Sequence, residues 1–415
     1  MLTTIIGIYT LYVLIKIYVS VMQIGFVNKA KRQNAVLMNS TEYLKAGNYA
    51  VAKEKVSMFT TLIDFLLFIA WMRFGIDFIE QTFMIYDPAV AAILGVLSFI
   101  LVNALISLPI GYYEKFVLDV AFGFNRSSKM LFIKDTLIST MLTVIFGALI
   151  IWGIYLIIST TELWWLWSFG FIFGMMVLLN MFYPTLRALF FDKLTPLEDR
   201  ELAGQINHLM DQTGFKSAGV FISDASKRDA RLNAYFGGLG KTKRVVLFDT
   251  LLQKLSPNEL LAVLGHELGH FQHGDIYKNI ALMGGMLFAM FALFGNLSDT
   301  LYMELGIQKS AANMMILFML VMPLLGFVMM PIMGIVSRHN EYEADKTGAD
   351  LGGKLYLSEA LKKLVSENKS FPLSHPIYIF FYYTHPPVLE RLRELGIEVN
   401  TNAKEALEGT CPTID

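Results

Sequence analysis

Residues 266–297 read HELGHFQHGDIYKNIALMGGMLFAMFALFGNL. Two histidines four apart open the stretch, and residues 277–297 are an apolar run. A helix crosses the hydrocarbon core with roughly 20 mostly apolar residues, so that run reads as a membrane span. Metal-ligand residues therefore abut a bilayer. Outward from it, six more stretches qualify: 2–26, 59–79, 89–112, 136–158, 163–182 and 313–336. Lys16 interrupts the first, and Asp64 and Arg73 the second. Composition agrees. Of 415 residues, 55% are hydrophobic and 17% charged, with a mean hydropathy of +0.51. A soluble domain carries about 25% charged residues. A disordered chain and an ordinary soluble enzyme are excluded. The net charge of −1 excludes a nucleic-acid binder that relies on overall positive charge. Cys411 is the single cysteine, which rules out an intrachain disulfide and reads as an inert tail thiol.

Loop charge orients the seven spans. Lys29, Lys31, Arg32, Lys45, Lys53 and Lys55 follow the first, and Lys115, Arg126, Lys129 and Lys134 follow the third. The loops after the second and fourth carry Glu80, Asp87 and Glu162 without Lys or Arg. The alternation places the N-terminus outside and the basic segments, with the C-terminal tail, in the cytoplasm. The first stretch lacks a basic n-region and reads as a retained anchor, not a signal peptide. Asp64, Arg73, Asp119 and Arg126, in or near spans, are expected to face a wet interior.

Four regions follow: five spans over 1–186, a polar segment over 187–276, two spans over 277–336 and a polar segment over 337–415, fraying from about Asn400. The fold class is mainly α and polytopic, with a cytoplasmic α+β domain. In the first polar segment, 197–210 has the apolar spacing of an amphipathic helix. Runs at 219–222, 232–236 and 244–248 read as strands, the last two as a hairpin around Gly237-Gly238 and Gly240-Lys241. Ser256-Pro257-Asn258-Glu259 is a capping box with proline at the first helical position, so a helix starts at Pro257.

HELGH lies on that helix. His266 and His270, four apart, share one face, and both imidazoles can reach one ion. Glu267 projects beside that ion, where water would bind. Zinc lowers the pKa of its water toward about 7, and a carboxylate can take the proton, which makes HExxH a metalloprotease signature. A catalytic zinc takes three protein ligands. His273 is the nearby alternative for the third, but a straight helix does not let it reach the same ion. The cluster Glu341-Tyr342-Glu343-Ala344-Asp345 is better placed, just beyond the span 313–336. A short outer loop joins the last two spans, so they pack as an antiparallel hairpin and their cytoplasmic ends meet. If the last helix continues, Asp345 lies one turn past Glu341 and can accept the second ring proton of a zinc histidine.

HELGH, a span, SRHNEYEAD (337–345) and THPP (384–387), with FGFN (122–125), DASKRDARLNAYFGGLG (224–240) and VVLFDTLL (245–252), resemble the integral-membrane CAAX prenyl protease type I family over nearly the whole chain. The resemblance implies one Zn2+ per chain on His266, His270 and Glu341, with Glu267 as general base. It implies that Asn233 and Ala234 lie on an edge strand pairing with substrate. It implies oxyanion stabilisation by His385, with Arg391 near, and seven spans enclosing a chamber. His375 competes with His385 for that role; His208 and His339 read as structural. The implied partners are a lipid bilayer and a peptide or membrane-protein substrate, lipidated or not, and no nucleic acid. Compact loops and the ending Cys411-Pro412-Thr413-Ile414-Asp415 suit a bacterial inner membrane; the alternative is the endoplasmic reticulum.

Other functions are a quality-control metalloprotease of the heat-shock type, a transporter, or a scaffold with structural zinc. A transporter leaves the capped HELGH helix unexplained. A structural site would need four protein ligands.

Overall fold

The computed structural model describes residues 1–237 and 243–399. The turn residues Gly238, Gly240 and Lys241, the tail from Asn400 and Cys411 lie outside the described residues. The N-terminal half is helical. Helix α1 is Leu2–Ala30; α2, Ser40–Ala70, continues through a π-turn, Trp71–Gly75, into α3, Ile76–Phe83. Helix α4, Pro88–Tyr113, passes through a second π-turn, Glu114–Leu118, into α5, Asp119–Phe122. Then come α6, Lys129–Thr160, and α7, Trp164–Phe190. The starts are locally encoded: Asn39, Asp87 and Ser128 each accept a backbone N–H of the first turn.

Among the described residues, six helical segments are long and apolar enough to cross a membrane: Leu2–Ala30, Pro88–Phe122, Lys129–Thr160, Trp164–Tyr183, Asp275–Gly295 and Ala311–Gly352. The seventh expected stretch, 59–79, is helical within Ser40–Phe83 but is not among these six. An aromatic core of Tyr9, Tyr12, Phe68, Trp71, Phe99 and Phe327 joins α1, α2, α4 and the long helix Ala311–Gly352. Helix α6 is different. Ile151 is its one buried residue, while Leu137, Leu149 and Trp152 are exposed. So large an apolar face suits lipid, not water. Asp64 lines a cavity with Lys16 between these helices. Asp119 pairs with Arg231 at 2.7 Å. Arg73 and Arg126 are exposed.

The polar segment folds as a four-stranded sheet with helices. Strand β1 is Leu194–Pro196, helix α8 Arg200–Gln212, β2 Val220–Ser223, β3 Ala234–Gly237 and β4 Arg244–Phe248. Their order is β1-β2-β4-β3, which leaves β3 at an edge. Strands β3 and β4 are antiparallel, Ala234 opposite Leu247, as the hairpin reading expects. Helix α8 starts three residues later than its apolar spacing suggests, because Asp199 caps it by accepting from Leu202 N. Strand β3 starts two residues later than expected, and the Leu232 backbone before it hydrogen-bonds the Asn368 side chain. Short α9, Asp249–Leu252, leads to α10, Pro257–Gln272, which starts at Pro257 with both hydrogen bonds of the capping box formed.

Helix α11, Asp275–Gly295, and α12, Asp299–Leu305, precede α13, Ala311–Gly352. Phe291 and Phe294 of α11 pack on Phe318 of α13, ring centroids 4.7 and 4.9 Å apart. At 42 residues α13 is roughly 63 Å long. It crosses the apolar zone and continues unbroken into the polar half, ending beside α10. Helices α14, Lys354–Glu367, α15, Pro376–Tyr382, and α16, Val388–Glu394, follow.

Candidate metal centre

Helix α10 meets the polar end of α13 along small residues. A Cβ on Gly352 would lie 2.2 Å from Ala262 Cα, and one on Gly348 2.9 Å from His266 Cα. Such distances have no room for a side chain, so backbone rests on backbone. Small residues spaced four apart on each helix form the seam, a small-xxx-small arrangement: Gly352 meets Ala262, Gly348 meets Gly265 and His266, and Ala344 meets Gly269. The seam holds the HELGH turn at close range to Glu341 and Asp345.

Three ligand atoms, one each from His266, His270 and Glu341, lie within 4.8 Å of one another. Glu341 Oε2 is 3.6 Å from His266 Nε2, and Oε1 is 3.3 Å from His270 Nε2. Glu341 Oε2 is buried and, among the described residues, accepts no hydrogen bond. Two imidazole nitrogens and a carboxylate around an unsatisfied acceptor are a donor set that a divalent cation completes. Burial pushes the Glu341 carboxyl up, but His270, Arg391 and His266 pull it down further, so its net shift is below the usual range. It is a carboxylate at neutral pH, as a ligand must be.

The second ring nitrogens are also held. His266 Nδ1 is 2.9 Å from Asp345 Oδ1, and His270 Nδ1 is 2.9 Å from Asp275 Oδ2. The His270–Asp275 contact is a hydrogen bond, whereas His266 Nδ1 lies at ion-pair distance from Asp345 without hydrogen-bond geometry; in each ring this leaves Nε2 turned toward Glu341. Burial lowers the His270 pKa, but Glu341 and Asp275 outweigh it and raise it to about 9. Burial raises the Asp345 carboxyl, but Arg391 and His266 outweigh it and bring it to about 2. Arg391 binds Asp345 with two donors, Nε at 2.7 Å and Nη2 at 2.6 Å, and its Nη1 is 3.4 Å from Glu341 Oε2.

Beside these groups is a cavity of about 390 Å³. His266, Glu267, His385 and Arg391 line it, and Asn233 and Ala234 line it from the edge strand. His385 is exposed, with Nε2 3.2 Å from Glu341 Oε1. Its loop is held by Arg338, whose Nη1 donates to Ile379 O at 3.2 Å and Tyr383 O at 2.6 Å. His375 instead caps α15, accepting from Ile377 N. His273 caps the end of α10, and His208 and His339 are exposed on α8 and α13. His266, Glu267, His270, Glu341, Asp345, His385, Arg391, Asn233 and Ala234 therefore meet at the cavity or the cluster beside it, and the alternatives His273 and His375 do not.

Sequence reasoning missed Asp275 and Asn368. Asp275 returns to His270 because Gly274, at φ 68°, makes the left-handed turn between α10 and α11. An Asp right after a Gly, at the end of a metal-binding helix, was a usable signal. Asn368 hydrogen-bonds the backbone of Leu232, 136 residues away, and no local pattern announces that pair.

Residues 196–398 match Peptidase family M48, and residues 23–193 match the CAAX prenyl protease N-terminal region of five membrane helices. CAAX prenyl protease 1 of Saccharomyces cerevisiae is 33% identical over 388 residues, 85% of each chain. The Dictyostelium discoideum CAAX prenyl protease 1 homolog is 32% identical over 372 residues, 87% of this chain and 86% of its own. The crystal structure of S. mikatae Ste24p superposes with a TM-score of 0.86 at 28% identity, covering 94% of this chain and 98% of that one. A helical, multi-pass chain with relatives along most of its length and an M48 catalytic region belongs to the CAAX prenyl protease 1 family of membrane metalloproteases.

Proposed function

We propose that this membrane metalloprotease is a zinc endopeptidase that cuts peptide bonds at the cytoplasmic membrane face. The observation that carries the reading is the convergence of His266, His270 and Glu341 around a buried carboxylate oxygen with no hydrogen-bond donor among the described residues. These three residues would hold one Zn2+. Bound there, zinc supplies Lewis acidity, acidifying water and polarising a carbonyl. Glu267, next to His266 and facing the cavity, takes the proton of the attacking water and passes it to the leaving amine. Asp345 and Asp275 orient the two imidazoles. His385 donates to the developing oxyanion from the exposed side of Glu341. The free edge of β3, at Ala234 beside Asn233, pairs with the substrate backbone, which aligns a peptide without reading its side chains. Arg391 faces the same cavity and keeps Asp345 and Glu341 ionised.

The named relatives favour C-terminal processing of CAAX-type substrates, lipidated ones included, over quality control of damaged membrane proteins. The stretch 59–79 crosses as a seventh span, and the spans enclose a chamber below the catalytic cap. The regions 1–186, 187–276, 277–336 and 337–415 divide the chain, with the compact loops favouring a bacterial inner membrane over the endoplasmic reticulum. The test is incubation of purified protein with lipidated and unlipidated peptides, with cleavage read by mass spectrometry and zinc by elemental analysis. Glu267→Gln is expected to keep one zinc per chain and to lose about 10²–10⁴ in rate. A variant that cleaves at the parent rate would overturn the assignment of Glu267, and a parent protein without zinc would overturn the metal.

A further inference from the structure

The edge strand offered to substrate is blocked at one end. Asn233 O accepts from Phe248 N, on the β4 side. Backbone groups alternate along a strand, so those of Leu232 and Ala234 turn the other way, toward the free edge. At Leu232 that edge is taken. Leu232 N donates to Asn368 Oδ1 at 2.8 Å, and Asn368 Nδ2 donates to Leu232 O at 3.1 Å. One side-chain amide thus makes both bonds that a neighbouring strand would make. Its position is rigid: Asn368 ends α14, with its own N–H on Leu364 O, and the next residue, Lys369, turns at φ 47°. Asn368 lines the catalytic cavity together with Leu232, Asn233, Ala234 and Glu267.

We propose that Asn368 is a register stop, a specificity-determining residue that ends substrate pairing at Ala234 and so limits how many residues extend past the scissile bond on that side. This rests on the peptidase reading and on the edge-strand role of Ala234. Leu364, Val365 and Ser370, neighbours of Asn368 in the chain, line the same cavity, and with the Leu232 edge taken a longer peptide has to leave the sheet there. Because the strand period is two, removing the stop lets a substrate slide by two residues and keep its side chains on the same faces.

The test uses the full-length, zinc-loaded protein in detergent and peptides of uniform sequence lengthened by one residue at a time at either end. Mass spectrometry reads where each is cut. The parent protein is expected to tolerate lengthening on one side only and to cut at a fixed distance from the other end. Asn368→Ala is expected to add a second cut displaced by two residues, with the fixed-distance preference reduced about tenfold and the zinc content unchanged. Asn368→Asp, which keeps the acceptor for Leu232 N, is expected to fall between, and serves if the alanine variant does not fold. A variant that cuts more slowly but at the parent position would show Asn368 to be a brace only and would overturn the proposal. So would a parent protein indifferent to lengthening at both ends. A parent protein that cuts nothing would overturn the peptidase reading itself, a separate failure.

Discussion

Two helix contacts in this molecule follow opposite rules. Helix α10 meets α13 backbone to backbone, at glycines where even a methyl group has no space. Helix α6 buries Ile151 alone fully and turns Leu137, Leu149 and Trp152 outward. The first contact sets the spacing between HELGH and Glu341. The second only has to keep a helix in an apolar medium. Tolerance to change should therefore differ more between these regions than their shared helicity suggests.

The most severe way to break this contrast is at the seam. Gly352→Ala places a methyl 2.2 Å from a backbone atom of α10, so a helix must shift. Overpacking of this kind costs about 1–3 kcal/mol or more, and zinc content and cleavage should both collapse. Gly265→Ala, whose nearest contact would be 3.3 Å from a side chain, should be clearly milder. Equal effects in elemental analysis and activity would refute the backbone-contact account. Next comes Asp345→Asn, which keeps shape but removes the charge facing His266 and Arg391. A lost partner of a metal histidine costs roughly 10–100-fold in affinity, to be read by competition with a chelator while the melting curve persists.

Third is Glu259 in the capping box of α10. Burial pushes its carboxyl up, but Lys363 at 2.7 Å and the Ser256 backbone pull it below the usual range. Its contribution is present above the ordinary carboxyl pKa, about 4.3, and fades as pH falls through the lower folded value. Glu259→Gln should therefore destabilise by about 1 kcal/mol at neutral pH and by little in acid. A pH-independent difference in thermal melting would contradict this. Smallest is Leu149→Ala on the outer face of α6, expected within about 0.5 kcal/mol of the parent. A large loss there would mean that this face is packed against protein, not lipid.

The legible parts of the molecule were those with local causes. The bounds of α10 follow from Ser256, Pro257 and Glu259, and most spans from hydropathy alone. Glu341 was narrowed to a cluster because α11 and α13 had to bring their polar ends together. What stayed hidden depends on tertiary partners. Leu232 has strand-forming neighbours, yet Asn368 takes its backbone. The stretch 59–79 mixes Asp64 and Arg73 with apolar residues, so hydropathy reads it less cleanly than its neighbours. Nothing in HELGH announces that Gly269, or Gly265 just before the motif, lets another helix approach, because the motif's histidines and Glu267 already explain it.

One consequence of the unbroken α13 concerns dissection. The same rod that spans the apolar zone forms a wall of the ion's cradle, and Glu341 has no hinge between it and the bilayer. Trimming the chain at Val336 would strip α10 of this partner, its glycine groove opened to solvent. The hydrolytic half is therefore no detachable module, and a water-soluble excised version would have to rebuild that wall from the start.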